Sequence, residues 1–280
     1  MSQSSLLRRL AIVVATLAPL LAAAAPAPLP DGFGIVPRHE TLAAVWSTTA
    51  GESPSTWSRA ALERSCAAKR TAGLTTHTPV FEADPDRPNA VRIVQVVAPQ
   101  AWASYETVQG TMCDAATLRT DLCACTFRTT TSRYVHLRKT RDGVTEAIDI
   151  DLAKGSATRR TRRAASAAAT ASAPAAGDLG FPGPVVGHDI IAGTPCSLRR
   201  QGLGTGHIDR CLADAVAQVP AALQGQELSM TTFALEDGTA VRRDWRRTER
   251  VDADADVDLG VFEVPAGIAV RDLGGVPARP

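Results

Sequence analysis

Six cysteines behind an apolar leader constrain this chain more than any other feature. They stand at Cys66, Cys113, Cys123, Cys125, Cys196 and Cys211. The N-terminus reads MSQSSLLRRLAIVVATLAPLLAAAAPAP: Arg8 and Arg9, an apolar run from Leu10 to Leu21, then small residues that fit an A-x-A cleavage site. That is the layout of a secretory signal peptide, expected over residues 1–25. The run is shorter than the ~20 residues a bilayer span needs, so no transmembrane span is expected in the mature chain. A periplasmic or secreted protein meets oxidising conditions, where an even cysteine count reads as disulfides. Proximity pairs Cys196 with Cys211. Cys123 and Cys125 are too close to bond comfortably to one another, so one is expected to join Cys113 and the other Cys66.

Residues 26–54 are rich in Pro, Gly, Ser and Thr and read as a flexible lead-in, with TLAAVWST as a short strand. Residues 55–152 form the N-terminal part of the domain. STWSRAALERSCAAKRTAG offers Ser or Thr as an N-cap, helix formers inside and Gly73 as a stop. Cys66 shares a face with Trp57, Ala61 and Leu62, so it is expected to point inward. Strand patterns then dominate, with Asp142-Gly143 between two β-prone runs as a hairpin signal. After it, Ile148, Ile150 and Leu152 alternate with Asp149 and Asp151, as in a sheet covered on one side. Residues 153–180 are low in complexity, Ala-rich and basic, and read as a linker or inserted loop. Residues 181–280 are the β-rich C-terminal part: PVVGHDIIAG pairs with TPCSLRR, HIDRCLADAVAQVP reads as an amphipathic helix, and Asp237-Gly238 marks a second hairpin. The expected class is α+β: a curved antiparallel sheet with a few helices on one face, braced by disulfides.

Charge narrows the function. The chain carries 30 basic and 29 acidic residues, a balance that argues against a nucleic-acid-binding body. The cluster Arg159, Arg160, Arg162 and Arg163 is the candidate for contact with an anionic surface. Asp252, Asp254, Asp256 and Glu263 take positions 1, 3, 5 and 12 of a calcium loop, although Val257 stands where such a loop needs Gly. Cys196, His207, Cys211 and His188 suit zinc or copper by ligand type, but their spacing matches no paired metal motif. GLGTG lacks the spacing of a phosphate loop. The chain has no G-x-S-x-G, H-E-x-x-H, C-x-x-C or Walker sequence, so binding is expected rather than catalysis, and no cofactor apart from the calcium candidate.

The segment GHDIIAGTPCSLRR through FEVPAGI resembles the end of an uncharacterised family of small exported bacterial proteins. It is more distantly similar to the periplasmic lipoprotein-carrier (LolA-like) superfamily. Ile191, Ala192, Gly193, Cys196, Cys211, Phe262, Pro265 and Gly267 carry the resemblance. It implies a curved antiparallel sheet with helices in its concavity, where the carriers hold acyl chains. The expected function is therefore that of an exported, non-enzymatic binding protein for an apolar ligand, a lipid or another cell-envelope component. The alternatives are an envelope-associated structural protein tethered by its basic segment, and a hydrolase of unrecognised type.

Overall fold

A computed structural model describes residues 27, 29–35, 38–113, 115–163 and 183–273. The expected leader and residues 164–180 of the expected linker lie outside them. In chain order the elements are β1 (Thr41–Ser53), α1 (Arg59–Thr71), β2 (Val80–Phe81), β3 (Asn89–Ala98), β4 (Ala101–Met112), α2 (Ala115–Thr120), β5 (Thr126–Arg141), β6 (Val144–Asp151), β7 (Ser156–Arg163), β8 (Val185–Ile191), β9 (Thr194–Leu203), β10 (Gly206–Ala213), β11 (Glu227–Glu236), β12 (Thr239–Asp258) and β13 (Ala269–Asp272). Of the described residues strand takes 58% and helix 11%, so the expected α+β class gives way to a nearly all-β fold.

One sheet runs β13-β7-β6-β5-β4-β3-β1-β12-β11-β10-β9-β8, with β2 beside β5 off that path. It consists of two five-stranded meanders, β3–β7 and β8–β12, joined through β1. Tight hairpins set their register. Asp142 and Gly143 take φ of 52° and 73°, Ala192 and Gly193 take 49° and 78°, and Asp237 and Gly238 take 50° and 78°. Two consecutive positive φ values are what a two-residue turn matched to strand twist requires.

The strand expected at TLAAVWST forms, runs longer, from Thr41 to Ser53, and takes a central place in the sheet. β1 pairs with β3 on one side and β12 on the other, and Ala44 to Thr48 are buried without a break. A strand covered on both faces loses the polar/apolar alternation that makes strands legible. Ala44 and Trp46 enter one core while Val45 enters another. The sheet therefore buries opposite faces at its two ends.

The first core lies on the β3–β7 side, on a face carrying Val94, Val96, Tyr105, Val135, Leu137, Ile148 and Ile150. No helix covers it among the described residues. The cover is irregular chain from both ends: Phe33, and the 3₁₀ turn Leu259–Phe262 that gives Val261 and Phe262. The second core gathers Ile191, Cys196, Cys211, Ala213 and Leu228 beneath Val219 and Leu223. Here the expected helix over HIDRCLADAVAQVP is overturned. Residues 206–213 are β10 and residues 214–226 fold back as the cover. Ile208, Leu212 and Val216 mimic a helical stripe, whereas the inward residues Cys211 and Ala213 are small and give a weak period-2 signal.

Three disulfides form: Cys66–Cys123, Cys113–Cys125 and Cys196–Cys211. Cys196–Cys211 is the pair that proximity suggests, and of the two arrangements left open for Cys123 and Cys125 the structure has Cys123 with Cys66 and Cys125 with Cys113. α1 begins at Arg59, as the sequence implies, and buries Leu62 and Cys66. It does not lie in the concavity. The two N-terminal disulfides hold it beside a small third core of Leu62, Phe127 and the half-buried Trp57.

Candidate groove beside the first core

On β5 the inward-facing row descends Leu137, Val135, Arg133, Thr131. Leu137 is 2% exposed and Val135 0%, so the row starts deep in the first core. It then ends on a cation and a hydroxyl where the core opens to solvent. Between Arg133 and the irregular cover lies a groove of about 270 Å³. Phe33, Leu152, Pro265 and Ile268 give it apolar walls, and Arg133 and Thr131 give it polar groups.

Local sequence shapes this groove. Gly32 and Gly34 hold φ of 91° and 46° on either side of Phe33. This backbone lets the ring turn into the core, where it meets Tyr105 edge-on at 5.0 Å between centroids. A Cβ on Gly32 would displace the Arg133 guanidinium, and the positive φ would strain any other residue there. Arg133 Nη1 donates to the Gly32 carbonyl at 3.4 Å, a long contact. Tyr105 donates its hydroxyl proton to the Val261 carbonyl, and burial pushes the phenol far above the usual tyrosine range. It therefore serves as a neutral post between the two covering segments. Lys139 Nζ at 2.7 Å and Arg38 at 3.5 Å from Glu263 Oε1 pin the C-terminal cover.

The residues singled out by sequence fall elsewhere. Asp252, Asp254 and Asp256 belong to β12, not to a loop. Ala44 pairs with Ala255 but Trp46 pairs with Asp252, so β12 carries an extra residue between them. That bulge shifts the alternation: Val251 packs against the second core, while Ala255 and Val257 enter the first. The Asp/Ala repeat is the period of a strand with one face buried. Glu263 is engaged by Lys139 and Arg38. Among the described residues no three His, Cys, Asp or Glu side chains gather as a metal-binding group. Cys196 and Cys211 are oxidised to each other, and His207 stacks on Phe233 at 4.7 Å.

The arginines of the expected linker lie on β7. Arg159 pairs with Glu146 at 2.9 Å, while Arg160, Arg162 and Arg163 are exposed. A Ser/His/Asp grouping exists at Ser197, but its order differs from that of a catalytic triad. Ser197 donates to Asp214 at 2.6 Å and lies 3.4 Å from His188, so serine, not histidine, stands in the middle. Beside α1, Asp121 accepts from the Thr75 hydroxyl at 2.6 Å, the His77 ring at 3.0 Å and the Cys123 N–H at 3.0 Å. Those bonds, Thr75 first, hold its carboxyl at about 2.

Sequence reasoning missed Arg133 as a site residue. The signal was present in SRYVHLRK: the row shared by Val135 and Leu137 reaches an arginine where an apolar residue would continue the core.

No family model matches the chain, and no curated protein does. Among solved structures, PNGF-II in a P21 crystal overlaps it with a TM-score of 0.37 and 8% identity, over 84% of this chain and 32% of that one. The same protein in a C2 crystal gives 0.38 and 8%, over 82% and 31%. The chain thus spans less than a third of the length of those structures. A likeness at this level carries no argument about the task of the molecule.

Proposed function

We propose that this is an exported, non-enzymatic binding protein that holds an apolar molecule of the cell envelope in the groove beside the first core. The observation that carries the reading is the groove itself, a concavity with apolar walls and few polar groups. Its size suits a small molecule or the end of a chain. It does not suit a whole acyl chain laid along the sheet, because Phe33, Val261 and Phe262 already fill that face. Export draws support from three disulfides with no free cysteine among the described residues, since such bonds persist in oxidising compartments. No helix among the described residues is long and apolar enough to cross a membrane. Affinity would come from burying apolar surface, at roughly 25 cal/mol per Å² before the costs of association.

The test is titration with the neutral fluorophore N-phenyl-1-naphthylamine. Wild-type protein should raise its fluorescence saturably. Ala266→Trp, which places an indole in the groove from an exposed position, should abolish the rise with near-UV circular dichroism preserved. A rise unchanged by that substitution would defeat the proposal.

A second reading has its own support. Arg160 and Arg162 project on the same side of β7, and Arg160 is in line with Ala147 and Arg138 across β6 and β5. Arg138 lies over the Trp102 ring at 5.8 Å. A basic strip with an aromatic edge suits an anionic envelope surface. Neutralising Arg160 and Arg162 should then reduce co-sedimentation with vesicles containing phosphatidylglycerol at low salt and leave the groove titration unchanged. Equal sedimentation by the variant would remove this reading.

A further inference from the structure

We infer that the groove selects molecules with an anionic oxygen head, a carboxylate or a phosphate, on an apolar body. The inference rests on the binding reading above and names the ligand class of that site. Arg38, Lys139, Arg159 and Arg133 are four of the cations beside the first core and its cover. Arg38 and Lys139 share Glu263, and Arg159 is held by Glu146 at 2.9 Å. Arg133 forms no ion pair among the described residues. Its hydrogen bond there is the long one to the Gly32 carbonyl. It is also the one of the four that lines the groove.

Geometry makes this difference meaningful. Arg133 is a half-buried residue on an inward-facing row, where a charge gains from an anionic partner. Arg38, Lys139 and Arg159 have such partners in this chain's own carboxylates. Arg133 lies beside space bounded by Phe33, Leu152, Pro265 and Ile268. An anionic head docked there would take a forked pair of N–H donors while the attached carbons meet the apolar walls. Thr131, also in the lining, offers a hydroxyl to the head. A neutral polar head would leave the charge uncompensated, and a cationic head would be repelled.

Decanoate, decyl phosphate, decyl maltoside and decyltrimethylammonium, each below its micelle concentration, form the test by isothermal titration. Wild-type protein should bind one or both anions at least about tenfold more tightly than the maltoside, as a charge-assisted pair implies. The two anionic arms distinguish carboxylate from phosphate. Arg133→Gln should reduce the anion-to-maltoside affinity ratio to about one, and Arg133→Lys should restore part of the preference. Near-UV circular dichroism checks that both variants fold. Equal wild-type affinity for anion and maltoside, or a preference that survives Arg133→Gln, overturns the inference and leaves the binding reading in place. Absence of binding by all four compounds removes that reading as well.

Discussion

The two meanders close their cores in opposite ways. In β8–β12 the cover is local. Residues 214–226 fold straight back from β10, and Leu223 N–H to Pro220 O at 2.8 Å and Gly225 N–H to Ala213 O at 2.8 Å fix the return. The Cys196–Cys211 bond, between adjacent strands, lies directly beneath. In β3–β7 the cover arrives from residues 27–35 and 259–268, far away along the chain. Among the described residues its main-chain ties include Ala27 N–H to Asp256 O at 3.0 Å and Leu259 N–H to Glu40 O at 3.2 Å. A local cover is closed by short-range contacts and a staple. A distant cover has to be gathered by side chains such as Phe33, and where it stops the apolar face stays open. The groove is at that open end.

This contrast can be broken most directly at Phe33. Phe33→Ala removes a ring that is 2% exposed and should cost about 3–5 kcal/mol in chemical denaturation. Native-state hydrogen exchange should accelerate in β4, β5 and β6 and leave β9 and β10 protected. Equal acceleration in both meanders would show that the covers are not independent.

Replacing Cys196 and Cys211 together by Ser should cost about 3 kcal/mol for a separation of 15 residues. Its exchange signature should be the reverse, with β9 and β10 loosened first. An unchanged urea midpoint would mean that the local hydrogen bonds suffice without the staple.

The smallest effect is expected at Asp121, beside α1. Its carboxyl is held at about 2 in the folded chain, below its ordinary value. The folded state therefore binds that proton less readily than the unfolded state. The stabilisation is present above about pH 4 and is lost as the pH falls toward about 2. Asp121→Asn should flatten the fall of Tm across that window without affecting protection in β9 and β10. A wild-type slope retained in the variant would assign the acid sensitivity to other carboxyls.

Particular residues show how far the sequence could be read. Asp142-Gly143 and Asp237-Gly238 demanded hairpins, and both hairpins formed. Gly73 announced the stop of α1, and proximity gave the Cys196–Cys211 pair while leaving open which of Cys123 and Cys125 joins Cys66. TLAAVWST announced a strand, but the length and central place of β1 were obscured because a central strand is buried on both faces, and Ala44, Ser47 and Thr48 fill it without looking hydrophobic. β10 was obscured because its inward residues are small. The Asp/Ala repeat of β12 imitated a calcium loop because residues two apart in a strand and alternate ligands of a loop share the same spacing.

The Asp-Gly turns and the β preference of individual segments followed from local chemistry, since each depends on neighbours a few residues away. The placing of β1 between the meanders, the two opposite buried faces and the meeting of Phe33 with Arg133 were decided only by tertiary structure. Contacts such as β1 with β12, or Arg133 with Gly32 at a separation of 101, join residues 100 or more positions apart. No local pattern encodes such a distance; it is set by which faces of the sheet must be shielded from water.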